Sequence, residues 1–412
     1  MTKKYRSILL AVTALSVLAS EACGKKLPDH GDQATAAAVF QETVAEMNGE
    51  RILAEPAKDS AELLPADRIY RIFYEEAKKT GASYDLKTTE RMVASLGKNG
   101  YAAVDSGNQV NMEGADQVLE FCKMADSKKA SELTVIVVDG WDAFTAYDLE
   151  TQDGDIRITR TCHQMDESGN FQRESRVSYP ASFWQYTEEG YLLLEGSYFS
   201  EEEFALTLSD GQEHIALRVQ PLDEQCREWN RQYILPVGYG ENNLFLSNWS
   251  ENDYEELDFY DLFDVFYPCL YEQPVPFTVV EEEGTGTSYQ IPENIWEQVI
   301  MTYFDIDREN LRSKTAYLPE VSAYEYRPRG IDEAEYPEIP YPEVVSCAEN
   351  QDGTVALTVN AVYPYENTSR SFSHKTVIRI LEDGSFQYVS NEIISPKEEL
   401  NIWWHSDRLE NP

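Results

Sequence analysis

With 412 residues the chain has room for two or three domains of ordinary size, and 42% hydrophobic and 12% aromatic residues supply enough apolar surface to exclude a wholly disordered polymer. Against 74 Asp and Glu stand only 34 Lys and Arg, a formal charge of −40. Such a polyanion repels phosphate backbones and anionic headgroups, so nucleic acid is excluded as a partner and a membrane requires a covalent tether.

In chain order, Lys3, Lys4 and Arg6 form a positive n-region before the apolar run Ile8–Ala19. That run is too short to cross a bilayer, which takes about 20 residues, and has the proportions of a signal-peptide h-region. Residues 1–22 are therefore predicted to be a signal peptide. Small residues at Ser20 and Ala22 suit cleavage before Cys23, the candidate lipid-attachment residue, whose thiol would take a diacylglyceryl group alongside palmitate-type acylation. Each buried CH₂ contributes about 0.8 kcal/mol, so several acyl chains hold an acidic domain that electrostatics alone would repel. Ser20 stands where lipoproteins usually carry Leu, and Glu21 is an unusual charge beside the cysteine. The expected location is the extracytoplasmic face of the cell membrane, with simple secretion as the alternative. Residues 23–37, with Pro28 and Gly31, read as a polar tether.

Ile69, Ile72, Phe73 and Ala77 recur at helical spacing, with a stop expected at Gly81. Thr89–Leu96 and Ala115–Ala125 continue the helical layer, the latter with Val118, Phe121, Cys122 and Ala125 on one face. The β-branched run Leu133–Val138 then reads as a buried strand. Turn signals at Asp139-Gly140, Asp153-Gly154, Ser168-Gly169, Glu189-Gly190 and Asp210-Gly211 predict an antiparallel meander of about eight strands ending near Val219.

Leu222–Tyr233 is helical in pattern. From Gln232 to Asp307 there is no Lys or Arg, and Tyr254–Tyr267 alternates acids with Leu257, Phe259, Leu262, Phe263 and Phe266 as an amphipathic helix. Glu281–Thr287 reads as a loop or hinge and Asn294–Phe304 as another helix. The prolines of Tyr336–Pro342 demand an extended linker or sheet edge. Val355, Leu357, Val359 and Ala361 have the two-residue period of a half-buried strand. With Val344–Ala348, Lys375–Leu381 and Phe386–Ser390 they predict a four-stranded antiparallel sheet. The expected class is α+β: a helical layer plus antiparallel β-meander over 38–221, a helical acidic region and linker over 222–340, and an antiparallel sheet with C-terminal tail over 341–412. The helix within 290–315 is expected to pack on that last sheet.

Catalytic templates fail in turn. HExxH and G-x-S-x-G are absent. Cys162-His163 are neighbours on a predicted strand and so face opposite sides, useless as a nucleophile–base pair. His374 lies in a strand and His405 in a tail, neither with a visible partner. Gly284–Ser288 lacks the lysine of a phosphate loop, and Gly238-Tyr239-Gly240 is no dinucleotide fingerprint. Asp305–Glu309 starts like a calcium loop without its turn glycine or closing glutamate. No catalytic, cofactor or metal residue is assigned. Cys122, Cys162, Cys226, Cys269 and Cys347 have no metal-ligand spacing, and buried thiols are the plainer expectation. Trp184, Tyr186, Tyr191, Tyr198, Trp249, Trp403 and Trp404 could stack on sugars, though core or rim positions are commoner for such residues. Acids in 251–283 could capture divalent cations weakly.

Leu206–Asp210, Ala216–Asp223, Phe259–Asp264, Val299–Phe304 and Tyr341–Ser346 resemble an uncharacterised family of lipoproteins from gut clostridia, carried as a domain of unknown function over nearly the whole mature chain. The resemblance implies a Gram-positive cell surface and transfers no catalytic residue. The functional expectation is a surface-tethered, non-enzymatic binding protein whose partners are the membrane, through its lipid, and a cell-wall glycan or protein. The alternatives are a carboxylate-dependent hydrolase of glycans or peptidoglycan, and a glycan-binding module.

Overall fold

A computed structural model of the chain describes residues 65–80, 84–140, 142–166, 169–209, 211–254, 257–276, 288–329, 338–394, 402–406 and 408. It is a mixed α+β protein with open sheets, as the pattern of the sequence required. The chain divides into two compact units. One runs through Tyr186 and adds Leu194–Glu213 and Leu217–Gln220; the other takes Thr187–Leu193, His214–Ala216 and the chain from Pro221.

The first unit opens with helices α1 (Pro65–Thr80) and α2 (Leu86–Lys98), the latter capped by Asp85, whose side chain accepts from the Thr88 amide at 2.8 Å. Its sheet follows the order β1-β2-β3-β4-β5, from Ala102–Asp105, Ser131–Val138, Ala143–Gln152, Asp155–Met165 and Phe171–Pro180. Strands β2 to β5 form the expected antiparallel meander. Strand β1 was hidden inside the expected helical layer. It pairs parallel with β2, and α3 (Ala115–Asp126) makes the crossover between them. The Asp153-Gly154 turn joins β3 to β4 with both residues at positive φ (56° and 96°), the geometry that a two-residue hairpin of this twist requires.

Helices α1 and α2 bury Ala66, Ile69, Tyr70, Phe73, Met92, Val93 and Leu96 against Ile136, Val138, Phe144, Ala146 and Phe171 of one sheet face. Ile72, placed on the apolar stripe by spacing, is instead 67% exposed, because the buried stripe centres on Tyr70 and leaves Ile72 on the far side of the helix. Val118, Phe121, Cys122 and Ala125 of α3 are buried as their spacing predicts. The remaining predicted meander strands do not continue that sheet. Strands β6 (Phe183–Tyr186), β7 (Tyr191–Ser197) and β8 (Gln212–Arg218) form a separate three-stranded sheet, with the short helix α4 (Glu201–Thr207) inserted before β8.

In the second unit α5 (Glu224–Trp229) continues into a π-helical turn, Asn230–Ile234. The C-terminal sheet has five strands rather than four, ordered β13-β14-β15-β16-β9: Tyr341–Glu349, Thr354–Tyr363, Thr368–Ile380 and Phe386–Ile393, with Trp249–Ser250 added along β16. A two-residue strand carries no periodicity, so pattern alone could not reveal it. Pro342 sits in β13, an edge strand, where a missing donor costs the ladder nothing.

The acidic amphipathic helix is α6 (Phe259–Tyr271), and α7 (Glu293–Tyr303) and α8 (Arg308–Ser313) follow. A small sheet, β10-β12-β11, takes Tyr289–Pro292, Ala323–Tyr326 and Tyr317–Leu318. The helix expected within 290–315 does pack on the large sheet, with Phe304 bridged to Tyr388. Trp296 is fully buried, stacked on Phe263 at 4.5 Å and on Tyr324 at 5.3 Å. Gly81 and Glu281–Thr287 lie outside the described residues, as do residues 1–64 with Cys23.

Candidate functional site

In the first unit, β1 and β2 run parallel, so Asp105 at the end of one and Asp139 just beyond the other leave the sheet at the same edge. The carboxyl ends of parallel strands are where open sheets commonly place ligands. The Ser106 amide donates to the Val138 carbonyl at 3.0 Å and ties the two ends together. Asp105 is committed to its own turn, accepting from the amides of Gln109 (3.0 Å) and Val110 (2.7 Å). Asp139 accepts from the Thr145 hydroxyl at 2.8 Å. The residue is exposed, yet desolvation in this crowded edge pushes its carboxyl up to about 6, against the lowering effect of hydrogen bonds from Thr145 and Ser106.

Tyr70 reaches this edge from α1. It is fully buried, its ring 4.6 Å from Phe144 and edge-on to Phe171. Its hydroxyl has no hydrogen-bond partner among the described residues, although it lies within electrostatic reach of Asp139, Tyr84 and Asp142. Burial raises its pKa well above 10, so the group is a permanent donor. An unpaired buried hydroxyl costs about 1–3 kcal/mol. Such a position lowers stability unless an internal water or a ligand atom completes it.

His163 occupies the other flank of Phe144, stacked on it at 4.5 Å. Its Nδ1 is 3.6 Å from Asp67 Oδ1, beyond hydrogen-bond distance, and its buried Nε2 has no hydrogen-bond partner among the described residues. Desolvation and then Arg173 lower its pKa to about 4, so the ring is neutral at pH 7. Cys162 faces the opposite side of β4, half-buried, with the Thr145 hydroxyl 4.0 Å from its sulfur. The neighbouring pair is thus split across the sheet, as strand alternation required.

The polar groups of the second unit are arranged differently. His374 is wholly buried. Its Nε2 faces the Tyr239 hydroxyl at 3.0 Å, and its Nδ1 faces Asn391 Oδ1 at 2.8 Å and the Thr376 hydroxyl at 3.1 Å. Burial lowers its pKa to about 3. A neutral imidazole donating from Nδ1 and accepting at Nε2 uses both nitrogens, and no carboxylate contacts it among the described residues. This is a core network.

The acids of the cation-free stretch find cations from elsewhere in the chain. Arg329 grips Asp261 with two bonds, 3.0 and 2.8 Å. Arg408, from the C-terminal tail, adds a third at 2.8 Å and also pairs with Asp264, which accepts from Tyr326. Glu251 pairs with Arg379 at 2.9 Å. Glu297, 5% exposed, accepts from Arg308 (2.8 Å), Arg312 (2.7 Å) and Tyr324 (3.2 Å). Four acids of this stretch, Glu251, Asp261, Asp264 and Glu297, are thus paired with arginines that lie after it in sequence.

Of the candidate sugar-stacking aromatics, Tyr191, Trp249 and Trp404 are buried, while Trp403 is 41% exposed. Trp184, Tyr186 and Tyr198 are half-buried. Gly284–Ser288 lies outside the described residues except for Ser288 itself, and Asp307 of the calcium-like stretch caps α8 by accepting from the Asn310 amide at 2.8 Å. His405 lies against Trp404 in the tail. An open trough of about 630 Å³ along α1 is lined by Asp67, Arg71, Ile72 and Glu75. The sequence pattern did not single out Asp139 or Tyr70. Asp139-Gly140 reads as one turn signal among five, and Tyr70 lies outside the Ile69, Ile72, Phe73 and Ala77 set that marks the helix.

Among the described residues no helix is long and apolar enough to cross a membrane. Compared with known proteins, the chain belongs to a family of unknown function, DUF6070, matched over residues 57–408. No curated protein and no solved structure matches it.

Proposed function

Since membership of that family brings no activity with it, we propose from the residues themselves that the protein is a lipid-anchored binding protein of the cell envelope. In this reading it engages a neutral, hydroxyl-rich ligand, the chemistry of a wall glycan, at the carboxyl ends of β1 and β2. The anchor rests on the n-region, the short apolar run and Cys23. The binding reading is carried by one observation: a fully buried Tyr70 hydroxyl without a hydrogen-bond partner among the described residues, within electrostatic reach of the carboxylates of Asp139 and Asp142. A sugar hydroxyl both accepts and donates, so it would accept from Tyr70 while donating to a carboxylate. An anion would be repelled there.

Calorimetric titration of the protein with neutral cell-wall oligosaccharides tests the site. Binding that falls at least about tenfold in Tyr70→Phe, without loss of stability, is the expected result, since a buried hydrogen bond to a ligand is worth on the order of 1 kcal/mol or more. A wild-type protein that retains no oligosaccharide overturns the reading. The anchor is tested separately by metabolic palmitate labelling, which Cys23→Ser should abolish.

A second reading, hydrolysis by paired carboxylates, is favoured by Asp139. A carboxyl pushed up to about 6 suits a general acid, and Asp142 stands in the same edge. Release of reducing ends from peptidoglycan, lost in Asp139→Asn, would favour turnover over binding.

A further inference from the structure

A different set of residues, in the second unit, points to covalent chemistry. Cys226 on α5 and Cys347 on β13 are separated by 121 residues in sequence, yet their sulfurs lie 3.2 Å apart. Two local devices bring them together. Asn230, 4% exposed, clamps the π-helical turn to β13 by donating to the Pro342 carbonyl and accepting from the Val344 amide, both at 3.2 Å. That clamp places Cys226, one turn earlier, over the strand. The register shift of β13 between Val344 and Ser346 then turns Cys347, paired with Leu357, to the same face as Val344, paired with Val359. Without this bulge, alternation would send Cys347 to the opposite face. Cys226 is 3% exposed, and Cys347 packs half-buried against the same core.

We propose that Cys226 and Cys347 are an oxidation site, closing a disulfide that staples α5 to the edge strand β13. A disulfide oxidant such as oxidised glutathione supplies the balance. The more accessible Cys347, as thiolate, attacks one glutathione sulfur and expels the first glutathione thiolate. Cys226 then gives its proton to solvent and attacks Cys347 Sγ, expelling the second. Two protein thiols lose two electrons and two protons, and one glutathione disulfide becomes two thiols. Burial, followed by its contact with Cys347, pushes the Cys226 thiol up, and Cys226 is 3% exposed against a half-buried Cys347, which makes Cys347 the first attacker.

The competing occupant is a thiophilic metal ion, because an Asp223 carboxylate oxygen lies within 4.8 Å of both sulfurs. That carboxylate is already engaged as the cap of α5, accepting from the Gln225 amide at 2.9 Å, and no fourth protein ligand joins the group among the described residues. Structural thiolate sites normally use four.

The test is alkylation and peptide mapping of the full-length protein after incubation with oxidised glutathione under metal-free conditions. The expected product is lighter by two hydrogens, yields one crosslinked peptide pair containing Cys226 and Cys347, and leaves Cys122, Cys162 and Cys269 alkylated. Oxidation should also raise the melting temperature by about 5–10 °C, as closing a loop of this length constrains the unfolded chain. Cys347→Ser should remove that rise. Full alkylation of both cysteines after oxidant, a crosslink between other cysteines, or thiols protected only while zinc is bound would each overturn the proposal.

Discussion

The two buried histidines separate the two units. His374 sits in a network in which Tyr239, Asn391 and Thr376 face both ring nitrogens, while His163 has a carboxylate beyond bonding distance on one side and a bare Nε2 on the other. The contrast holds for the buried charges but not for every polar group, since the Trp296 indole N–H of the second unit is also buried without a hydrogen-bond partner among the described residues. In the second unit buried charges meet as Asp261 with Arg329 and Arg408, and as Glu297 with Arg308 and Arg312. In the first, the Tyr70 hydroxyl is buried with no hydrogen-bond partner among the described residues. Saturated polar groups hold a core in one arrangement. Unsaturated ones lower stability unless a water or a ligand completes them.

The largest expected effect breaks the saturated side. Asp261→Ala leaves two arginines buried without their shared carboxylate and should lower the unfolding free energy by about 3–5 kcal/mol, measured by denaturant titration. A loss below about 1 kcal/mol would mean that this network is no more consequential than a surface pair.

Acid acts on both units through the histidines. Each has a folded pKa, about 3 for His374 and about 4 for His163, below the ordinary 6.5. The unfolded chain therefore binds protons first. Stability from each ring is complete above pH 6.5 and declines as pH falls, by roughly 3 kcal/mol per ring on reaching pH 4. Replacing either histidine with Gln should flatten the stability profile between pH 6.5 and 4. An unchanged slope in His374→Gln would show that this ring is solvated in the folded protein.

The smallest effect is the most diagnostic. Tyr70→Phe keeps the ring contacts with Phe144 and Phe171 and removes only the unpaired hydroxyl. Its stability should stay within about 0.5 kcal/mol of the parent or rise, the reverse of what removing a bonded hydroxyl does. A clear loss of stability would place Tyr70 among the saturated groups and erase the contrast between the units.

Elements with strong periodicity are legible in the order of the amino acids alone. Val355, Leu357, Val359 and Ala361 announce β14, Val118, Phe121 and Cys122 announce the buried face of α3, and Asp153-Gly154 announces its hairpin. These signals are local: a repeat of two or 3.6 residues, or a glycine that accepts positive φ, needs no knowledge of the rest of the chain. Strands β1 and β9 lack such a repeat because they are short, and their place comes from the neighbour they pair with. Composition likewise set the charge imbalance, and residue order the leader-like run that ends at Cys23. The partners of the acids were a different matter. No Lys or Arg lies between Gln232 and Asp307, yet Arg329, Arg379 and Arg408 return to that region in space. The meeting of Cys226 with Cys347 has the same origin. Residues far apart in sequence carry no mark of one another, and only the packing of helices on sheets brings their side chains within a few ångströms.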